Sequence, residues 1–121
     1  MPKNIVVLVS GGGTNLQALI DAQRRGEITG GAITAVISSR PDAYALERAK
    51  TAGIPGYVVA RKDFPGNREM TQALVAKLRE LKADLVVLAG FMHILTEEMV
   101  QAYPNAILNV HPALIPSFCG K

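Results

Sequence analysis

Asn4-Ile5-Val6-Val7-Leu8-Val9-Ser10-Gly11-Gly12-Gly13-Thr14-Asn15-Leu16-Gln17-Ala18-Leu19-Ile20 passes from one hydrophobic period to another across three glycines. Ile5 to Val9 is a continuous apolar, β-branched run, the pattern of a strand covered on both faces in a parallel sheet. Leu16, Leu19 and Ile20 then fall at i, i+3 and i+4, the apolar stripe of an amphipathic helix. The glycines therefore sit between a strand and a helix. Such a turn aims backbone N–H groups and the positive end of a helix dipole at one spot, which suits a phosphate or carboxylate. Gly12, Gly13, Thr14 and Asn15 are the candidate anion-binding residues, with Thr14 and Asn15 offering side-chain donors as well. Neither nucleotide motif is met, because position 16 is Leu where the dinucleotide fingerprint needs glycine, and no Gly-Lys-Ser/Thr follows. A flexible turn without a ligand is the alternative.

The same alternation continues along the chain. Ala32–Ser39 reads as a second strand, Ala43–Ala52 as a helix stopped by Gly53-Ile54-Pro55, and Gly56–Val59 as a short third strand. Asn67–Leu81 is the longest helix, with Met70, Leu74, Leu78 and Leu81 on one stripe and Asn67 suited to cap it. Asp84 introduces the strand Leu85–Ala89, the loop Gly90-Phe91-Met92-His93-Ile94-Leu95 follows, and Thr96-Glu97-Glu98 opens a short helix. Ile107–Val110 is the last strand. Alternating strands and helices predict right-handed βαβ units in an α/β, doubly wound, mostly parallel open sheet with helices on both faces. Ligands of such sheets bind outside the carboxyl ends of the strands, where the glycine loop, the 90–95 loop and the end of the last strand all lie.

That last strand runs into Asn109-Val110-His111-Pro112-Ala113-Leu114-Ile115-Pro116. Residues two apart on a strand share a face, so Asn109 and His111 are expected to project together. The imidazole titrates near neutrality and can carry a proton, while the amide is a donor that cannot ionise. A capping asparagine and a satisfied buried histidine are the structural alternative.

Composition narrows the class. Of 121 residues, 49% are hydrophobic and 19% charged, which suits a globular fold and excludes general disorder. The net charge of +3 comes without a basic run interleaved with aromatics, so nucleic acid is not the expected partner. Cys119 has no partner in the chain, and no Cys/His cluster has zinc-ligand spacing, so neither a disulfide nor a metal is expected. The run at residues 5–9 is too short to span a membrane and no signal-peptide pattern is present; the reducing cytosol is the expected compartment.

Three ordered motifs, Ser-Gly-Gly-Gly-Thr-Asn-Leu-Gln-Ala-Leu-Ile, Val-Leu-Ala-Gly-Phe-Met-x-Ile-Leu and Asn-x-His-Pro-x-Leu-x-Pro, resemble the phosphoribosylglycinamide formyltransferase family over essentially the whole chain. The resemblance implies a Rossmann-like formyltransferase fold. It implies transfer of a formyl group from 10-formyltetrahydrofolate to the amine of glycinamide ribonucleotide in purine synthesis, through a tetrahedral intermediate. It gives Gly13, Thr14 and Asn15 to the substrate phosphate and Met92, His93, Ile94 and Leu95 to the folate pocket. Arg68 falls where the family has an arginine that meets the cofactor, although spacing alone reads it as a solvated arginine. His111 is implied as the catalytic acid and Asn109 as the group that stabilises the intermediate. On this reading Gly13→Val is expected to block the ribonucleotide and spare folate.

His93 stands where arginine is common in the resembling enzymes, Ala113 where serine is usual, and Ile115 where leucine is usual. His93 also reads as an ordinary loop histidine, and it is not assigned a catalytic role. Those enzymes continue past the point where this sequence stops, with an aspartate against the histidine; Asp21, Asp63 and Asp84 read instead as caps or solvated groups. The expectation is thus one formyltransferase-like domain over residues 1–121, C-terminally incomplete. A domain of that length buries about two-thirds of its unfolded surface, yet no helix covers the last strand, so exposed sheet surface and self-association are expected. Related folate-dependent formyl enzymes, methionyl-tRNA formyltransferase or formyltetrahydrofolate hydrolase, share the Asn-x-His-Pro segment. A non-catalytic module that only holds a phosphate ligand is the reading from a different class.

Overall fold

The computed structural model describes residues 3–110. Its elements are β1 (Lys3–Val9), α1 (Thr14–Arg24), β2 (Gly31–Ser38), α2 (Tyr44–Thr51), β3 (Gly56–Val58), α3 (Asn67–Glu80), β4 (Leu85–Ala89), α4 (Glu97–Ala102) and β5 (Ile107–Val110), with a 3₁₀ turn at Arg61–Asp63 before α3. The five strands form one sheet in the order β3-β2-β1-β4-β5. Every pair in it is parallel. The apolar runs read from the sequence are its strands, and β1, the most apolar of them, is central, with Val6 to Val9 at 0% exposure.

Helices cover both faces because successive strand residues point to opposite sides. Ile5, Val7, Val9 and Val87 pack with Leu16 and Ile20 of α1 and with Ala45 and Ala49 of α2. Val6, Leu8, Ile37 and Val86 pack with Met70, Leu74 and Leu78 of α3 and Met99 of α4. The β1–β2 register slips between Ile5 and Val6, so that Ile5 pairs with Ile33 and Val6 with Ala35. Thr34 is the extra residue of this bulge, which allows Ile33 and Val36 to serve the same face.

Two details differ from the sequence reading. Gly66, not Asn67, is the N-cap of α3 and makes no side-chain cap. Asn67 Oδ1 instead accepts from Arg61 Nε at 3.1 Å, so the 3₁₀ turn takes the oxygen that a cap would have used. Asp84 is a cap of a different kind: its Oδ2 accepts from the Asn4 backbone N–H at 2.7 Å, while the Asp84 N–H donates to the Asn4 carbonyl at 2.8 Å. This reciprocal pair locks β1 to β4 at the end of the sheet opposite the loops described next.

On β5, Leu108 is 55% exposed and completes a small apolar cavity with Ile5, Leu19, Ile28, Ile33, Leu85 and Val87, of about 160 Å³. Among the described residues, Leu108 thus presents an exposed apolar side chain on β5.

Candidate functional site

The site is assembled from the loops that leave the carboxyl ends of β1, β2 and β4, together with the end of β5. Gly13 is the N-cap of α1 in a left-handed conformation, φ +83°, that favours glycine. The first intrahelical bond runs from the Gln17 N–H to the Gly13 carbonyl at 2.8 Å. The N–H groups of Thr14, Asn15 and Leu16 are consequently the orphan donors of the helix start, aimed past the glycines where an anion is stabilised.

Gly13 has a second reason to be glycine. A Cβ there would lie 2.7 Å from Ala45 Cβ and 2.8 Å from Ala45 Cα, whereas Gly11 and Gly12 have nothing within 4 Å of such an atom. The conflict is with α2 and not with a ligand, which corrects the expectation that Gly13→Val would act by blocking the ribonucleotide. Gly12 is the position where added bulk meets only the approach side.

Arg48 of α2, which no local pattern singled out, holds the loop from outside. Its Nε donates to the Gly12 carbonyl at 2.7 Å and its Nη1 to Gln17 Oε1 at 3.3 Å, while its guanidinium lies 5.0 Å from the centre of the Tyr44 ring. These contacts tie the glycine turn and α1 to the second helix of the same face.

Ser10 and Ser39, both 3% exposed, form the floor between the loops. The Ser10 hydroxyl oxygen accepts from the Met92 backbone N–H at 2.9 Å and from Ser39 Oγ at 2.8 Å. Ser39 Oγ also lies within hydrogen-bond distance of His93 Nε2, at 3.0 Å. Burial, followed by the nearby Arg61 charge, holds the His93 pKa below the ordinary histidine range. That shift favours the neutral imidazole. His93 forms one wall of a cavity of about 530 Å³ that also takes in Arg40, Arg61 and Lys62.

Beyond Met92 the loop turns outward. Met92 is 78% and Ile94 72% exposed, large apolar side chains held at the mouth of the site. Leu95 packs against the α3 face of the core. The loop is docked to α3 where the Thr96 N–H donates to Thr71 Oγ1 at 3.1 Å. Arg68, the second residue of α3, forms an ion pair through Nε with Glu98 Oε2 at 2.7 Å and is 70% exposed. Thr96 also donates to Glu98, and that bond, with the Arg68 pair, keeps the Glu98 carboxyl below its usual range.

Asn109 is exposed on β5, in register with Leu88 of β4 and thus on the α3 face. Asn15, 7% exposed, does not present its amide to the anion site: its Nδ2 donates to the Val110 carbonyl at 3.3 Å, and its Oδ1 is buried without a partner among the described residues. His111, which the sequence singles out most strongly, lies outside the described residues, as do Ala113, Ile115 and Cys119. The structure thus brings Gly12, Gly13, Thr14 and Asn15 to the same sheet end as Met92, His93 and Asn109, with Ile94 and Leu95 on the adjoining loop. Arg68 stands beside that loop through Glu98. Among the described residues there is no group of three His, Cys, Asp or Glu side chains that can hold a metal ion, and no helix is long and apolar enough to cross a membrane.

Comparison with known proteins gives the family and the fold. Residues 3–121 match the family model described as formyl transferase. A phosphoribosylglycinamide formyltransferase of Haemophilus influenzae is 50% identical over 118 residues, covering 98% of this chain and 55% of that protein. The human trifunctional purine biosynthetic protein adenosine-3 is 42% identical over 97% of this chain and 12% of its own length. Among solved structures, glycinamide ribonucleotide transformylase 1 from Symbiobacterium toebii superposes with a TM-score of 0.86 at 44% identity, over 97% of this chain and 55% of that one. The chain spans about half the length of the single-function bacterial relatives it matches. With a matching model over nearly every residue and the same fold in structures of high identity, this chain belongs to the formyl transferase family.

Proposed function

We propose that this chain carries out formyl transfer from 10-formyltetrahydrofolate to the amine of glycinamide ribonucleotide, in the cytosol, with residues 1–121 forming one formyltransferase-like unit. The observation that carries the reading is the convergence of the glycine turn, the 90–95 loop and the end of β5 at one end of the sheet, bridged by Ser10 to Met92 and by Asn15 to Val110. The orphan N–H groups at the start of α1 hold the ribonucleotide phosphate, a use that needs no cationic side chain.

The folate fits the adjoining loop on chemical grounds. Met92 and Ile94 expose apolar surface of the kind that a flat ring covers, and the Arg68 fork is suited to a carboxylate once it exchanges Glu98 for the ligand. When bound, the folate supplies the formyl group. Amine attack on a formyl carbon places negative charge on oxygen and positive charge on nitrogen. Asn109 donates to that oxygen, and His111 moves the proton that the attacking nitrogen must lose to the folate N10, so that the tetrahedral intermediate collapses with cleavage of the N10–formyl carbon bond and release of tetrahydrofolate. His93 is a wall of the pocket, hydrogen-bonded to Ser39, and takes no part in the proton transfer.

Formyl transfer followed spectrophotometrically tests the reading. His111→Ala is expected to lower turnover by about a hundredfold to ten-thousandfold, and Asn109→Ala by about a hundredfold to a thousandfold. Since Asn109 is exposed, Asn109→Ala should leave stability within about 0.5 kcal/mol. An unchanged rate in His111→Ala overturns the mechanism, and ribonucleotide binding without turnover in the unmodified chain leaves a binding module.

A further inference from the structure

We infer that Asn15 is a positioning residue for the strand that carries Asn109 and leads into His111, and that its side chain is not a ligand of the phosphate. Asn15 lies in the first turn of α1, 95 residues from Val110, and is 7% exposed. Its Nδ2 donates to the Val110 carbonyl at 3.3 Å. The orientation of the amide follows from that partner, because the flipped amide would set oxygen against oxygen. The same nitrogen lies 3.5 Å from the position a Cβ on Gly90 would take, so the amide occupies the gap between the β4 and β5 ends.

This bond has a specific consequence. Val110 is the last residue of β5, where a strand carbonyl runs out of ladder partners and needs another donor. The peptide that joins Val110 to His111 is planar, so holding its carbonyl fixes the plane from which the next residue departs. Asn15 can therefore serve both halves of the site with different atoms. Its backbone N–H belongs to the anion-binding helix start, and its side chain belongs to the strand. An aspartate would direct a carboxylate at a carbonyl, and a leucine would fill the space with no donor.

The kinetic arm of the test rests on the proposed transfer reaction, and the spectroscopic arm does not. Asn15→Leu and Asn15→Asp are compared with the unmodified chain by the carbonyl carbon shift of Val110 and the amide nitrogen shift of His111, and by steady-state kinetics. The expected result is movement of both resonances, a fall in kcat of about a hundredfold, and a KM for the ribonucleotide within about twofold. Unmoved resonances in either folded variant, or a KM raised about tenfold or more with kcat unchanged, overturn the inference and make the side chain a phosphate ligand. If one variant fails to fold, the other supplies the comparison. If the unmodified chain shows no turnover while the resonances still move, the proposed reaction fails and the positioning contact stands.

Discussion

Gly13 and Ala45 meet so closely that nothing larger than hydrogen fits on Gly13: an added Cβ would lie 2.7 Å from Ala45 Cβ. The positive φ of Gly13 adds a conformational penalty for any other residue. Gly13→Val is therefore expected to lower stability by about 2 kcal/mol or more and to weaken the ribonucleotide and folate together. Gly12→Val, with open space around it, should leave the denaturation midpoint within about 0.5 kcal/mol of the parent and weaken the ribonucleotide selectively. Urea titration and calorimetry of both variants check this, and selective loss in Gly13→Val would contradict it.

Arg48→Met keeps the aliphatic stem and removes the donors to Gly12 and Gln17. A partly exposed charge-assisted bond of this kind contributes about 1 kcal/mol. Its loss also leaves the glycine turn less well ordered before the anion arrives, so ribonucleotide affinity should fall about tenfold with folate affinity unchanged. Equal loss of both ligands by calorimetry would mean that α2 itself has shifted.

His93 gives a pH dependence whose sign is set by burial and then by Arg61. Its folded pKa lies below the unfolded value of about 6.5, so as pH falls the unfolded chain takes up the proton first. The contribution of His93 to stability is constant above that value and declines as pH drops through the folded pKa. A proton NMR titration should give a midpoint below about 6.5. Arg61→Gln should raise it only in part, because burial remains. His93→Gln should remove this segment of the acid sensitivity; a midpoint above the ordinary histidine value would contradict the assignment.

The fold was legible because its strands are written as uninterrupted β-branched runs. Ile5–Val9 and Leu85–Ala89 are buried on both faces, and that pattern has few other readings. The stripe Met70, Leu74, Leu78 was equally plain, and all three are fully buried. The start of α3 was not, because Arg61 engages the Asn67 side chain through a turn that leaves no periodic mark. The site divides in the same way. The glycine turn and the 90–95 loop are contiguous in sequence and could be found there. Ser10, Ser39 and Arg48 act through single polar contacts that span 29 to 82 residues, and no window of sequence contains both partners. Asn15 was found for its neighbours, while the atom its amide meets is visible only once β5 is in register.

The central place of β1 bears on how the chain is made. Its partner on one edge, β2, follows after a single helix, but its partner on the other edge, β4, is synthesised about fifty residues later, which at roughly five to twenty residues per second is a delay of several seconds. For that interval the most apolar strand of the molecule offers an unpaired edge to other nascent or misfolded chains. The Asn4–Asp84 clasp closes it as soon as β4 emerges, so weakening that clasp should reduce the yield of soluble protein more than it reduces the stability of the finished molecule.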